Sequence, residues 1–206
     1  MKVYLAGKIT RDQWRSGILR GAQILDVDAW RQEKRWDGRW PVVPRGVLGT
    51  HDYVGPFYCG DTNHGPMPTN HATPHYGEGH DSADASRPEI VRLCLEALSR
   101  ADLLFVWLDS LDAFGTLIEI GFARAHGIPI ILGQPHGWAD PYYPRDDIDG
   151  TVPPGGELWF ARSSASVLAW APEGMSAVDG AEHCLREGLA DPLFKRRGWA
   201  AVPKRS

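Results

Sequence analysis

One stretch of the chain, residues 103–132, constrains the fold more than any other. It reads LLFVWLDSLDAFGTLIEIGFARAHGIPIIL: an apolar run, a polar turn, a helical segment and a second apolar run. Short, continuous apolar runs rich in β-forming residues are typical of parallel strands that are covered on both faces. Gly127 and Pro129 mark the end of the helical segment, because glycine favours the left-handed position after a helix and proline cannot continue one. The stretch therefore predicts a strand–helix–strand unit.

The helix of this unit carries one acid, Glu119, among apolar residues. Burying a carboxylate is costly unless it is paired or has a function. Ligands of parallel sheets bind beyond the carboxyl ends of the strands, and Asp109, Asp112 and the first turns of the helix fall at that edge. Glu119 is thus a candidate catalytic acid, with Asp109 and Asp112 beside it. The alternative is that Glu119 only caps its helix or pairs with Arg124.

The rest of the chain supplies further elements of a layered α/β fold. Strands are predicted at 2–6, 40–43 and 158–161, in addition to 103–108 and 130–132. Apolar residues at helical intervals predict helices over 14–29, 86–98 and 179–189. A chain of 206 residues buries one substantial core. We therefore expect a single domain, residues 1–206: a three-layer sandwich with about five parallel strands in a Rossmann-like, flavodoxin-like doubly wound sheet.

A long insertion is predicted after the second strand, over residues 44–88. Its density of proline and glycine leaves no helical or strand period. Long loops in compact domains are usually functional or disordered, and we interpret this one as a lid, with Tyr53 and Phe57 offering aromatic surface to a nucleobase. It holds five of the eight histidines, namely His51, His64, His71, His75 and His80. Their spacings match no zinc pattern, so no metal site is predicted.

Composition excludes several classes of function. The net charge of −4 lacks the basic excess that nucleic-acid binding requires. Phosphate-binding loops of the GxxxxGK[ST] and GxGxxG types are absent, and we expect no cofactor. Three cysteines without metal-ligand spacing favour the reducing cytoplasm, and no stretch is long and apolar enough to predict a membrane span. Residues 195–206 are predicted to form a basic tail.

Three segments, GTLIEIGFA, MKVYLAGKI and SRADLLFVWLD, together resemble the nucleoside 2-deoxyribosyltransferase family. The resemblance implies that Glu119 attacks the anomeric carbon of a nucleoside. It also implies that the first loop lies against the sugar and, in nucleotide-using members, the 5′-phosphate, and that the protein forms a homodimer or a higher homo-oligomer. The substrate-binding residues expected on this basis are Tyr4, Gly7, Lys8, Ile9, Arg11, Gly115 and Thr116. The alternatives are a solvated charged face for Lys8, Arg11 and Arg15, and a purely structural role for Tyr4.

One position departs from the family pattern. Many members carry an aspartate that assists the leaving base, and the corresponding residue here is Cys94. A thiol in an apolar helix is a poor proton donor, so the resemblance supports cleavage of an N-glycosidic bond better than transfer of the sugar. Two other functions stay open: a NAD glycohydrolase, which free nicotinamide would reveal, and a nucleotide-sensing module that binds without turnover.

Overall fold

The structure is a computed structural model that describes residues 1–8, 14–18, 23–24, 42–43, 51–55, 87–138 and 158–196. The strands are β1 (Lys2–Gly7), β2 (Gln23–Ile24), β3 (Val42–Val43), β4 (Asp52–Gly55), β5 (Leu103–Trp107), β6 (Ile130–Gln134) and β7 (Val167–Trp170). The helices are α1 (Trp14–Ile18), α2 (Arg87–Ser99), α3 (Phe114–Ala125), α4 (Trp159–Ser164), α5 (Ala177–Ala190) and α6 (Pro192–Lys195).

The main sheet has five strands in the order β4-β1-β5-β6-β7, and all of them are parallel. In chain order this is a 2-1-3-4-5 arrangement, which is the flavodoxin-like doubly wound order. The strand order reverses between β1 and β5, so the crevice at their carboxyl ends is the position where such folds bind ligands. The predicted fold class is confirmed.

Helices cover both faces of this sheet. On one face α2, α3 and α4 pack side by side, with α2 against β4 and α3 against β1, β5 and β6. On the other face α5 packs against β6 and β7 and contacts α1 and α6. All the residues of β5 and β6 are buried, as expected for strands covered on both sides.

Close approach of helix to sheet depends on glycine at two positions. A Cβ on Gly188 of α5 would lie 2.5 Å from Ile131 Cγ2, and a Cβ on Gly133 of β6 would lie 2.7 Å from Cys184 Cβ. Each glycine therefore leaves room for a side chain of the facing element. As a result, α5 sits closer to the sheet than larger residues would permit.

One of the predicted strands is wrong, and another is a strand but lies outside the main sheet. Residues 158–161 do not form the last strand; they begin α4, and Leu158, Ala161 and Arg162 are buried at helical spacing. The last strand is β7, which follows α4. Val42 and Val43 are extended as predicted, but they pair antiparallel with β2 in a separate two-stranded sheet. The second strand of the main sheet is instead β4, inside the predicted insertion.

The observed helices agree better than the strands with the helices predicted from the sequence. The central helix is α3, and Gly127 follows it with φ of 68°, as its predicted left-handed role requires. Gln23 and Ile24 are a strand, so the predicted helix 14–29 is shorter than expected. Ser176, which the prediction missed, caps α5 by accepting a hydrogen bond from the Asp179 amide. In the described part of the chain, no helix has the length and apolar character needed to cross a membrane.

Candidate functional site

Glu119 and Tyr4 form a hydrogen-bonded pair between α3 and β1. The Tyr4 hydroxyl donates to Glu119 Oε1 over 2.5 Å. Tyr4 is fully buried, and its ring packs over Gly55, where a Cβ would lie 2.6 Å from Tyr4 Cε2. Glu119 as a whole residue is partly buried. The pair therefore lies beside the carboxyl end of β4, on the sheet face covered by α2 and α3.

The protonation of Glu119 is strongly affected by this environment. Burial raises the pKa of Glu119 to about 7, because little water remains to solvate the ionised carboxylate. The hydrogen bond from Tyr4 and the positive charge of Arg15 oppose that rise. At neutral pH the carboxyl group therefore exists in both forms, which is the condition that suits acid, base or nucleophilic chemistry.

The Tyr4 hydroxyl also links this pair to Cys94. Burial raises the pKa of Tyr4 well above its ordinary value, and the Glu119 carboxylate and the Cys94 thiol both add to that rise. Cys94 is buried on α2 and belongs to no disulfide among the described residues. Position 94, which was singled out from the sequence, thus lies next to the pair formed by Tyr4 and Glu119. This proximity depends on how α2 packs, and no sequence signal indicates it.

Lys8 and Asp112 bridge the point where the strand order reverses. Lys8 follows β1, Asp112 lies in the loop between β5 and α3, and Lys8 Nζ donates to both carboxylate oxygens at 2.8 and 2.6 Å. Ser110 Oγ also donates to Asp112. The hydrogen bond from Lys8 holds the pKa of Asp112 below its ordinary value. In this ion pair Lys8 is partly exposed and Asp112 is exposed.

Asp109 lies in a different environment from Glu119. Its Oδ2 accepts a hydrogen bond from Trp107 Nε1 at 2.9 Å, and burial raises its pKa despite that bond and the nearby Arg15 and Lys8 charges. It lines an open cleft of about 250 Å³ at the carboxyl ends of β5, β6 and β7. His136, Glu173 and Met175 line the same cleft, and Glu119 is not among its lining residues. His136 and Glu173 belong to no recognisable motif, so the sequence alone did not indicate them.

Arg15 has a structural role at the carboxyl end of β1. Its guanidinium is buried and donates to the carbonyl oxygens of Leu5 and Gly7 at 3.0 and 2.7 Å, and it also lies over the Trp14 ring. It therefore satisfies backbone acceptors at the carboxyl end of β1. Its positive charge lowers the pKa of both Glu119 and Asp109, and so offsets part of the rise that burial causes. The alternative in which Arg15 belongs to a solvated charged face is therefore wrong.

Some of the other predicted site residues are described by the structure, and the rest lie outside the described residues. Gly7 ends β1 against Trp14, Thr116 is buried in the first turn of α3, and Gly115 is exposed there. Tyr53 is 3% exposed within β4, so it is a core residue and not an open surface for a base. Ile9, Arg11 and Phe57, and all of the predicted insertion except His51, β4 and the start of α2, lie outside the described residues.

Both interpretations of Glu119 as a surface residue are wrong. The N-cap position of α3 is Ala113, which receives no side-chain hydrogen bond, and Glu119 lies in the second turn. Its carboxylate accepts from Tyr4, and the described residues show no ion pair between Glu119 and Arg124.

Neither a metal site among the described residues nor a comparison with known proteins assigns a function to this chain. No group of three or more His, Cys, Asp or Glu side chains in the described ranges is placed to hold a metal ion. No protein-family model, curated protein or solved structure matches the chain.

Proposed function

We propose that the chain cleaves the N-glycosidic bond of a nucleoside or a nucleoside 5′-monophosphate, with Glu119 as the nucleophile. The observation that carries the proposal is the pair formed by Glu119 and Tyr4. A carboxylate with a pKa of about 7, oriented by a buried hydroxyl, is both available in its ionised form at neutral pH and poorly solvated. Those properties favour attack on an electron-poor carbon and stabilise an oxocarbenium-like transition state.

The proposed reaction has two steps. One Glu119 oxygen forms a bond to C1′ while the C1′–N bond breaks, and the electron pair of that bond leaves with the base, which takes up a proton. Attack of water on C1′ then releases the free sugar or sugar phosphate and restores the carboxylate; attack of a second base would instead give a new nucleoside. Asp112, in the loop between β5 and α3, is proposed to orient the sugar hydroxyls, whereas Asp109 faces the separate cleft.

The central test is Glu119→Gln, which keeps the shape of the side chain and removes its charge. We expect the variant to lose about 10³-fold or more of its base release, as is typical when a nucleophile is removed. Release is measured by chromatography over a panel of nucleosides and 5′-monophosphates. Glu96→Gln is the matched control, because Glu96 is a carboxylate of α2 whose ion pairs, with Arg92 and Arg100, lie away from the pair of Glu119 and Tyr4. Full activity in Glu119→Gln would rule out the proposal.

Hydrolysis and transfer are separated by adding a second free base to the reaction. A new nucleoside means transfer, and free sugar or sugar phosphate alone means hydrolysis. Cys94 favours hydrolysis, because it occupies the position of the acid that assists the leaving base in the similar family.

The second candidate function is a nucleotide-sensing module, and Cys94 favours this function as well. Cys94 lies beside Tyr4 at the position where many members of the similar family carry an aspartate, which suits a pocket that binds but does not turn over. Calorimetry that detects nucleotide binding, together with no base release over days, would favour this function over catalysis.

We further propose that the protein acts in the cytoplasm as a homodimer. The cytoplasmic location is supported by Cys94 and Cys184, which form no disulfide within the described part of the chain. The dimer is what the family resemblance implies.

A further inference from the structure

The cleft beside Asp109 has no role in the proposed reaction. It has a volume of about 250 Å³ and lies beyond the carboxyl ends of β5, β6 and β7, the edge at which parallel α/β sheets bind ligands. Pockets for drug-sized molecules measure roughly 300–1,000 Å³, so this cleft fits a smaller molecule with about one ring. Glu119 does not line the cleft, so a ligand bound here is independent of base release.

Two similar turns form walls of the cleft. Residues 135–138 follow β6 and residues 172–175 follow β7, and in each turn the fourth amide donates to the first carbonyl oxygen over 3.4 Å. The third residues are Gly137 and Gly174, with φ of 78° and 77°, as type II turns require. The proline that begins each turn lines the cleft, and so does Met175. These walls can cover the apolar part of a ligand.

The charged groups of the cleft are acidic. Asp109 and Glu173 line it together with His136, and no lysine or arginine is among the described residues that do so. Neither carboxylate forms an ion pair with any residue that the structure describes. The charge of the cleft therefore favours a cation over an anion.

The two cations whose charges act on Asp109 bind elsewhere. Lys8 Nζ donates to Asp112 at 2.8 and 2.6 Å, and the Arg15 guanidinium donates to backbone carbonyl oxygens of β1 at 3.0 and 2.7 Å. The one side-chain hydrogen bond described for Asp109 comes from Trp107 Nε1, whereas a carboxylate can accept about four. Burial raises the pKa of Asp109, so a bound cation would replace solvation that this carboxylate lacks.

We propose that this cleft binds a small organic cation, in which an ammonium group is attached to an apolar body of about one ring. The ammonium group donates to Asp109 and Glu173, and the apolar body lies against Met175 and the two prolines. The apolar walls favour an organic cation over a bare metal ion, because metal ions bind through oxygen, nitrogen or sulfur ligands.

The N-terminus of α5 also lies at the cleft, where its first residue, Ala177, is part of the lining. The N-terminus of a helix carries partial positive charge, which disfavours a cation. Here Asp179 in the first turn of α5 compensates that charge, and its carboxylate accepts a hydrogen bond from Ser176 Oγ over 2.8 Å. The two cleft carboxylates therefore decide the sign of the preferred ligand.

The test is the binding of benzylamine to the full chain, measured by chemical-shift titration of the ¹⁵N-labelled protein at low salt and about pH 7.5, where most histidines are neutral. Benzyl alcohol and benzoate carry the same ring with a neutral and an anionic group. We expect benzylamine to bind in the millimolar range, and the other two to bind at least about tenfold more weakly, because only the cation forms charge-assisted hydrogen bonds.

Two variants test the carboxylates separately. Asp109→Asn keeps an acceptor for Trp107 Nε1 and removes the charge, so it should weaken benzylamine binding about tenfold or more and leave benzyl alcohol unaffected. Glu173→Gln changes an exposed turn residue, which keeps the test valid if Asp109→Asn does not fold, and it should weaken binding by a smaller factor. Glu96→Gln is the matched control, because it removes the same charge from α2, which does not line the cleft.

Three results would overturn the inference. The first is no binding of benzylamine at concentrations in the tens of millimolar. The second is equal binding of benzyl alcohol or benzoate, since charge would then not select the ligand. The third is unchanged affinity in both folded cleft variants, or a loss in Glu96→Gln as large as theirs, since the cation would then bind elsewhere or respond only to net charge.

Discussion

At the scale of single residues, two opposing effects set the pKa of Glu119. Burial penalises the ionised carboxylate and raises its pKa to about 7, while the Tyr4 hydroxyl and the Arg15 charge stabilise that ionised form. A carboxyl group with ordinary solvation titrates well below this value. Since the unfolded chain has no such environment, ionisation of Glu119 is linked to the stability of the fold.

That linkage predicts how stability changes with pH. Below pH 4.5, the ordinary value for Glu, the carboxyl is protonated in both states. As the pH rises from about 5 to about 8, the folded chain holds its proton longer than the unfolded chain does, so the free energy of unfolding falls. The total loss is at most about 3 kcal/mol, and less because the residue is only partly buried.

Glu119→Gln should remove this loss. Urea denaturation across the pH series measures it, and the variant should gain stability relative to the wild type as the pH rises. A stability difference that is the same at pH 5 and pH 8 would contradict the raised pKa.

Tyr4→Phe gives a second prediction at this scale. The variant loses the hydrogen bond that lowers the pKa of Glu119, so that pKa should rise above about 7. A hydrogen bond to a charged group contributes on the order of 1.5–3 kcal/mol, which corresponds to a roughly tenfold or larger loss of the ionised form near pH 7. Base release should fall accordingly at pH 7 and recover as the pH is raised. The pH–rate profile is the measurement, and an equal loss at every pH would mean that Tyr4 acts in another way.

At the scale of elements, the contact between α5 and β6 is the tightest contact that the glycines reveal. Gly188→Ala would place a methyl group 2.5 Å from Ile131 Cγ2 in the packed core. Overpacking of this kind costs about 1–3 kcal/mol, and we expect a loss in that range by urea denaturation. Gly115→Ala is the control: it is also helical, but it lies in open space, so it should be neutral or stabilise α3 by up to about 1 kcal/mol. Equal effects of the two substitutions would show that helix propensity, and not packing, decides the result.

The elements that the sequence predicted well are those with strong local signals. The strand–helix–strand unit of β5, α3 and β6 has long apolar runs and a glycine stop, and each end lies within about two residues of its predicted position. The four residues of 158–161 were too few to distinguish a strand from a helix, because the helical period only emerges when Arg162 is included. β4 is four residues among prolines and glycines, and its order comes from pairing with β1, a contact that no local pattern encodes.

The residues of the candidate site were also predicted best where the signal is local in the sequence. Glu119 was found because an acid among apolar residues is conspicuous within its own segment. Its pairing with Tyr4 joins residues 115 positions apart, and the position of Cys94 next to them depends on the docking of α2. Asp109 was expected beside Glu119 because both follow β5, yet the side chain of Asp109 joins Trp107 at a separate cleft. Sequence proximity identified the edge of the sheet, and side-chain direction decided which groups meet there.

At the scale of the whole molecule, the sheet order places three features along one edge. Glu119 and Tyr4 lie beside the end of β4, the ion pair of Lys8 and Asp112 spans the reversal between β1 and β5, and the Asp109 cleft lies beyond β5. An exposed ion pair contributes only about 0–1 kcal/mol to stability, so Lys8 can exchange its carboxylate partner for another anion at little cost. This makes Lys8 the described cation that is best placed to meet the phosphate of a nucleotide bound at the reversal.

The last prediction therefore concerns the choice between nucleosides and their 5′-monophosphates. Lys8→Met removes the charge and keeps the length of the side chain. If the 5′-phosphate of the substrate contacts Lys8, the KM for a 5′-monophosphate should rise by about tenfold, the size expected for losing one charge-assisted hydrogen bond, while the KM for the corresponding nucleoside stays constant. The comparison is made at low salt, because screening weakens the contribution of an exposed charge. Arg92→Gln, which removes an exposed charge from α2, serves as the control for a general effect of net charge. An equal rise in KM for nucleoside and nucleotide would show that Lys8 shapes the loop through Asp112 and does not bind phosphate.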